Sequence, residues 1–164
     1  MRTFSTVAAV AVVLALGGAA LADAHKPGKA SRAKTLEFFA PLAQLELIDL
    51  GDTGFSLGDE SVFSDDLLTE QNGKSAGIDG GVCTVVRVAD AGTQSGTLQC
   101  IVTFSLKRGQ ITTQGLAEVI NGQFAGTAVA AITGATGRFR KAAGESEVEF
   151  LEPGQANVTL TILR

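Results

Sequence analysis

The sequence predicts an all-β protein of about eight antiparallel strands, in a sheet that closes into a barrel or splits in two to remove its edges. Three observations predict it. Runs of alternating or β-branched apolar residues recur at hairpin spacing along the chain. Turn residues separate them, in a composition of 20 Gly against 3 Pro that suits many tight reversals. No segment after the first residues carries a convincing long helical period.

The strands follow one another as expected for short connections, which imply antiparallel pairing. "AQLELIDL" (43–50) alternates, with Leu45 and Leu47 on one face and Gln44, Glu46 and Ile48 on the other. "ESVFSDDLLTE" (60–70) is a more polar strand, and "GGVCTVVRVA" (80–89) is rich in β-branched residues. In "GTLQCIVTFSLK" (96–107), Leu98, Cys100, Val102, Phe104 and Leu106 share a face. Arg108-Gly109 turns the chain into "QITTQGLAEVI" (110–120), and Asn121-Gly122 is a strong hairpin signal before "QFAGTAVAAIT" (123–133). "ESEVEFLE" (145–152), a Pro153-Gly154 turn and "ANVTLTILR" (156–164) complete the set.

The chain opens with a cationic start and an apolar run, "VAAVAVVLALGGAALA" (7–22), too short and too rich in small residues for a comfortable membrane span. It reads as a signal peptide over 1–22, cleaved after "ALA" at 20–22, so the mature protein is expected to be secreted without an integral membrane segment. Residues 23–42 read as a flexible N-terminal segment, basic at its start and broken by Pro27 and Gly28, and 43–164 as the barrel domain.

Net charge is −4, which supplies no basic face for nucleic acid. The single His, His25, lies near the expected cleavage site, so neither a metal site nor a His-dependent nucleophile is expected. Cys83 and Cys100 are an even pair in an exported chain. Neighbouring strands joined near Ala91-Gly92 would set them opposite each other, within disulfide reach; two buried free thiols are the alternative. Asp79-Gly80-Gly81 and Gly134-Ala135-Thr136-Gly137 precede no helix with a Lys, so neither is a phosphate loop.

Three stretches resemble the allene oxide cyclase and dirigent superfamily, in the family's order. They are "FSLGDESVFSDDLLTEQNGKSAGIDGGVC" (55–83), "FSLKRGQITTQG" (104–115) and "ITGATGRFRKAAGESEV" (132–148), and the likeness extends over roughly 43–164. The resemblance implies an eight-stranded antiparallel barrel around an apolar cavity, no metal or organic cofactor, and a homo-oligomer, dimer or trimer. In allene oxide cyclases such a barrel folds a reactive epoxide into one ring stereoisomer. In dirigent proteins it orients phenoxy radicals or quinone methides.

The resemblance also nominates residues. Glu46 matches a first-strand glutamate that points into the cyclase cavity, with Ile48 where those enzymes keep an asparagine. Asp65 and Asp66 match the dirigent acid step, and strand alternation sends one inward and the other outward. The acid before the signature Phe and the Arg before its last Gly are replaced here by Arg138 and Ala143. Glu46 and Asp66 are therefore the candidate catalytic acids, since a carboxylate in an apolar barrel has a raised pKa. Asp65, Arg87, Phe104 and Arg140 are the candidate ligand contacts, and Phe139 is expected to plug one end.

Three function classes follow: a barrel that binds or steers a small hydrophobic metabolite by shape, a cofactor-independent isomerase or cyclase, and a structural envelope protein whose barrel is filled with side chains. An open barrel with a buried carboxylate points to the second and a filled one to the third.

Overall fold

A computed structural model of the chain describes residues 33–89, 92–151 and 154–163. The strands are β1 (Ala33–Ile48), β2 (Glu60–Leu68), β3 (Ser75–Val88), β4 (Gly96–Leu106), β5 (Gly109–Ile120), β6 (Gln123–Phe124), β7 (Thr127–Ala135), β8 (Ala143–Phe150) and β9 (Gln155–Leu163). Every pairing is antiparallel, in the order β4-β3-β2-β1-β9-β8-β7-β5. Pairing of β4 with β5 closes the ring. Two-residue β6 only extends the end of β5, so the closed barrel has eight long strands, and of the two arrangements open to the sequence it is the barrel that forms. The helical content of the described residues is one 3-10 turn, Gly137–Phe139, and no described helix is long and apolar enough to cross a membrane.

Two elements differ from the sequence expectation. β1 takes in residues 33–42, which the sequence assigns to a flexible segment. Ala33–Pro41 pairs with β9, and Leu36, Phe38 and Ala40 alternate toward the core. The basic leader and Pro41 mask that alternation in the sequence. The run 123–133 is not one strand, because the chain breaks at Ala125-Gly126 between β6 and β7. The Asn121-Gly122 hairpin forms as expected, with positive φ at both residues (52° and 77°), as the tight two-residue turn requires.

Two hydrophobic clusters pack inside the barrel along its axis. One, toward the end that bears the 3-10 turn, gathers Leu67, Phe104, Ile111, Leu160 and Ile162, each at most 1% exposed, under a buried Phe139. The other joins Cys83, Val85, Leu98 and Val119, with Phe55, Phe63 and Phe124 against them. Cys83 and Cys100 are register partners and form a disulfide.

Candidate functional site

Strand alternation on β2 sends Ser61, Phe63, Asp65 and Leu67 inward and leaves Val62 and Asp66 exposed. On β3 the inward set is Asp79, Gly81, Cys83 and Val85. Asp65 is the register partner of Asp79. Asp79 in turn faces Phe104, and Phe104 faces Ile111. Two carboxyl groups therefore sit side by side on the inner wall, against residues that exclude water.

Burial is the main reason the Asp79 carboxyl is pushed up, to about 8; the charge of Asp65 and its side-chain hydrogen bond push it further the same way, while a hydrogen bond from the Asp65 backbone N–H works against them. Burial also raises Asp65, and the charge of Asp66 adds to the rise, while the hydrogen bond from Asp79 works against both. At neutral pH Asp79 therefore keeps its proton and donates it to Asp65. All described Lys and Arg side chains are exposed, so no buried cation offsets a charge on either carboxyl. Asp79 is only 4% exposed, yet its Oδ1 has no hydrogen-bond partner. Ser61 and Ser146 likewise bury unpaired hydroxyls elsewhere on the inner wall. Unpaired polar atoms in such surroundings are unusual.

The β1–β2 ribbon runs on from this pair toward the far end of the barrel. β1 carries a bulge between Leu42 and Gln44, after which Leu45 and Leu47 pair with the inward residues Phe63 and Ser61. β9 pairs only as far as Pro41, so this part of β1 projects beyond the wall, and Leu45 and Leu47 are 51% and 74% exposed. An open cleft of about 420 Å³ lies there, lined by Gln44, Leu45, Glu46, Val62, Phe63 and Ser64. Phe63 separates the cleft from Asp65, the next inward residue on β2. Its ring lies over Gly81, where an added Cβ would come within 3.0 Å of the Phe63 Cζ and 2.7 Å of the Ile101 carbonyl.

The residues nominated from sequence are spread out. Asp65 and Phe104 face the interior and Asp66 faces solvent. Glu46 pairs with exposed Val62 on the outer face and borders the cleft through its exposed side chain. Arg87 follows a bulge on β3 and is exposed, and Arg140 is exposed on the loop beyond the 3-10 turn. The structure thus unites Asp65 and Phe104 with Asp79, a residue the sequence reading considers only within a rejected phosphate loop. Counting back in twos from Cys83 would have found it. No group of three or more His, Cys, Asp or Glu among the described residues is placed to hold a metal ion.

Residues 42–160 match a family model described as allene oxide cyclase barrel like domain. Among solved structures, a pyocyanin demethylase is 27% identical with a TM-score of 0.64, over 79% of this chain and 99% of that one. A Diels–Alderase from Streptomyces koyangensis is 13% identical with a TM-score of 0.58, over 84% of this chain and 70% of that one. A pterocarpan synthase dirigent protein is 21% identical with a TM-score of 0.55, over 81% and 87% respectively. No curated protein sequence matches the chain significantly.

Proposed function

The chain belongs to the allene oxide cyclase barrel-like family, and we propose that it binds a small, mostly apolar metabolite in the barrel and holds it in one conformer. The observation that carries this reading is the unpaired, buried Oδ1 of a protonated Asp79, with Asp65 beside it. The Asp79 proton is committed to Asp65, so the free Oδ1 accepts. The ligand that suits it carries a hydroxyl, an N–H or a cationic nitrogen on an otherwise apolar frame. It enters over Leu45 and Phe63, because the opposite half of the barrel is packed by Leu67, Phe104 and Ile111. Relatives named for demethylation, cycloaddition and pterocarpan synthesis support small-molecule chemistry in this barrel.

A second reading is a cofactor-independent isomerase or cyclase. In it Asp79 supplies a proton and Asp65 accepts one, a division of labour that unequal environments create. The earlier candidates Glu46 and Asp66 would act in it only at the cleft or from the outer face. The raised Asp79 favours this reading, and turnover of a bound ligand would distinguish it from steering.

The protein is proposed to be exported, given the apolar run at 7–22 and the disulfide, and to self-associate as a dimer or trimer. Val62, Val82 and Ile101 support the latter, as exposed register neighbours across β2, β3 and β4. The experiment is a thermal-shift screen of small hydroxylated, aminated and unsubstituted polycyclic compounds. Donor-bearing compounds should raise Tm in the wild type and lose that effect in Asp79→Leu. Equal shifts in both proteins would refute a role for the pair.

A further inference from the structure

Charge divides the barrel along its axis. At the end closed by Phe139, the connecting segments 69–74, 107–108 and 136–142 carry Lys74, Lys107, Arg108, Arg138, Arg140 and Lys141 against a single acid, Glu70. At the other end, the described connecting residues carry Asp49, Asp52 and Asp59 and no Lys or Arg. A net charge of −4 thus conceals a strongly basic pole.

That pole is built as one surface. The Arg138 backbone N–H donates to the Arg108 carbonyl at 2.9 Å, and the Gln110 N–H donates to the Thr136 Oγ1 at 2.9 Å, fastening the two loops together. Phe139 is drawn into the core, which sends its neighbours Arg138 and Arg140 out to solvent. Arg138, Arg140 and Lys141 border a shallow cleft of about 350 Å³. Lys141 occupies it at a φ of 69°, a left-handed conformation where Gly or Asn would sit with less strain. All six cations are exposed, and none is ion-paired among the described residues.

We propose that this basic pole docks on a bilayer surface rich in anionic lipid headgroups. Chain connectivity selects the bilayer over other polyanions. The first described residue, Ala33, lies at this same end. The sequence ahead of it adds Lys26, Lys29 and Arg32, and beyond them the apolar run 7–22. Read as a signal peptide, that run delivers the chain to a membrane, and cleavage after residue 22 leaves Lys26, Lys29 and Arg32 on the processed chain, just ahead of Ala33 in sequence. The inference does not depend on the ligand reading above.

The test uses the chain as isolated from cells that produce and process it, with sucrose-loaded vesicles of phosphatidylcholine alone or with 30% phosphatidylglycerol. The protein should sediment with the anionic vesicles at low salt and be released at 0.5 M NaCl, where screening is short-ranged. Each cation near such a surface contributes about fivefold in affinity. The triple variant Arg138→Glu, Arg140→Glu, Lys141→Glu should therefore bind at least ~100-fold more weakly. Lys74→Glu with Lys107→Glu, on separate loops, should weaken binding on its own and covers the case in which the triple variant fails to fold. Equal binding to neutral vesicles, undiminished binding by both variants, or heparin binding as tight as vesicle binding would each overturn the proposal.

Discussion

Replacing Asp79 with Asn should remove a pH dependence of stability that the wild type owes to this residue. In the folded barrel the carboxyl is pushed from 3.8 up to about 8, because burial disfavours its charged form. In the unfolded chain it titrates near its ordinary value. Between these two values the folded state therefore binds more protons, and stability falls as pH rises. The contribution is fully present below about pH 4, declines by about 1.4 kcal/mol per pH unit, and is exhausted above about pH 8. From pH 5 to pH 8 the loss amounts to about 4 kcal/mol, a large share of a typical domain's stability. Asn has nearly the same shape, cannot ionise, and can donate its amide N–H to Asp65 in place of the lost O–H. The variant should match the wild type near pH 5 and exceed it by several kcal/mol at pH 8. Urea unfolding of both proteins at pH 5, 6, 7 and 8, with the disulfide intact, measures this directly. A variant that keeps the wild-type slope between pH 6 and 8, or is the less stable protein at pH 8, would refute the assignment of the proton to Asp79.

Other perturbations probe the frame around the pair. Reducing the Cys83–Cys100 bond, or replacing both residues by Ala, should cost about 3 kcal/mol, the loop-closure value for a separation of 17 residues; calorimetry with and without reductant reads it. Gly144→Ala should destabilise strongly, because φ there is 133° and the new Cβ would run into the Thr161 carbonyl. Gly134→Ala should be nearly silent, since nothing closer than the Thr112 Cβ at 3.9 Å awaits it. Asp59 accepts the backbone N–H groups of Leu50 (2.8 Å) and Ser56 (2.6 Å), bonds that hold its carboxyl below the ordinary value. Asp59→Ala should speed hydrogen exchange at those two amides while leaving β3 and β4 protected.

Much of the fold was legible because side-chain alternation and turn chemistry act locally. The Asn121-Gly122 hairpin, the shared face of β4 and the Cys83–Cys100 pairing all follow from them. Alternation also splits the Asp-Asp step between the two faces, but which acid faces inward was left open, and it is Asp65, not the nominated Asp66, that does. The start of β1 was hidden because Leu36, Phe38 and Ala40 acquire a face only by pairing with β9, more than a hundred residues away.

The site was less legible. The family likeness sends Glu46 inward, but the register of β1 after its bulge turns Leu45 and Leu47 to the inner side and leaves Glu46 outside. Asp79 was weighed only within a rejected phosphate loop, Asp79-Gly80-Gly81, and left just ahead of a strand begun at Gly80, whereas β3 runs through it and Gly81 leaves room for the Phe63 ring. Residue type alone says nothing of facing; only the register with β2 puts Asp79 beside Asp65. The basic pole was invisible for a similar reason. Its cations are dispersed over three segments from Lys74 to Lys141, and only barrel closure collects them.

Native mass spectrometry of the protein isolated from its producing cells tests the central claim most directly. The account predicts a retained small molecule, released on denaturation, bearing a hydroxyl, N–H or cationic nitrogen on an apolar frame, and absent from Asp79→Leu. A clean protein mass, with no uptake of such compounds on soaking and a wild-type spectrum indistinguishable from that of Asp79→Leu, would contradict it and identify a barrel filled by its own side chains.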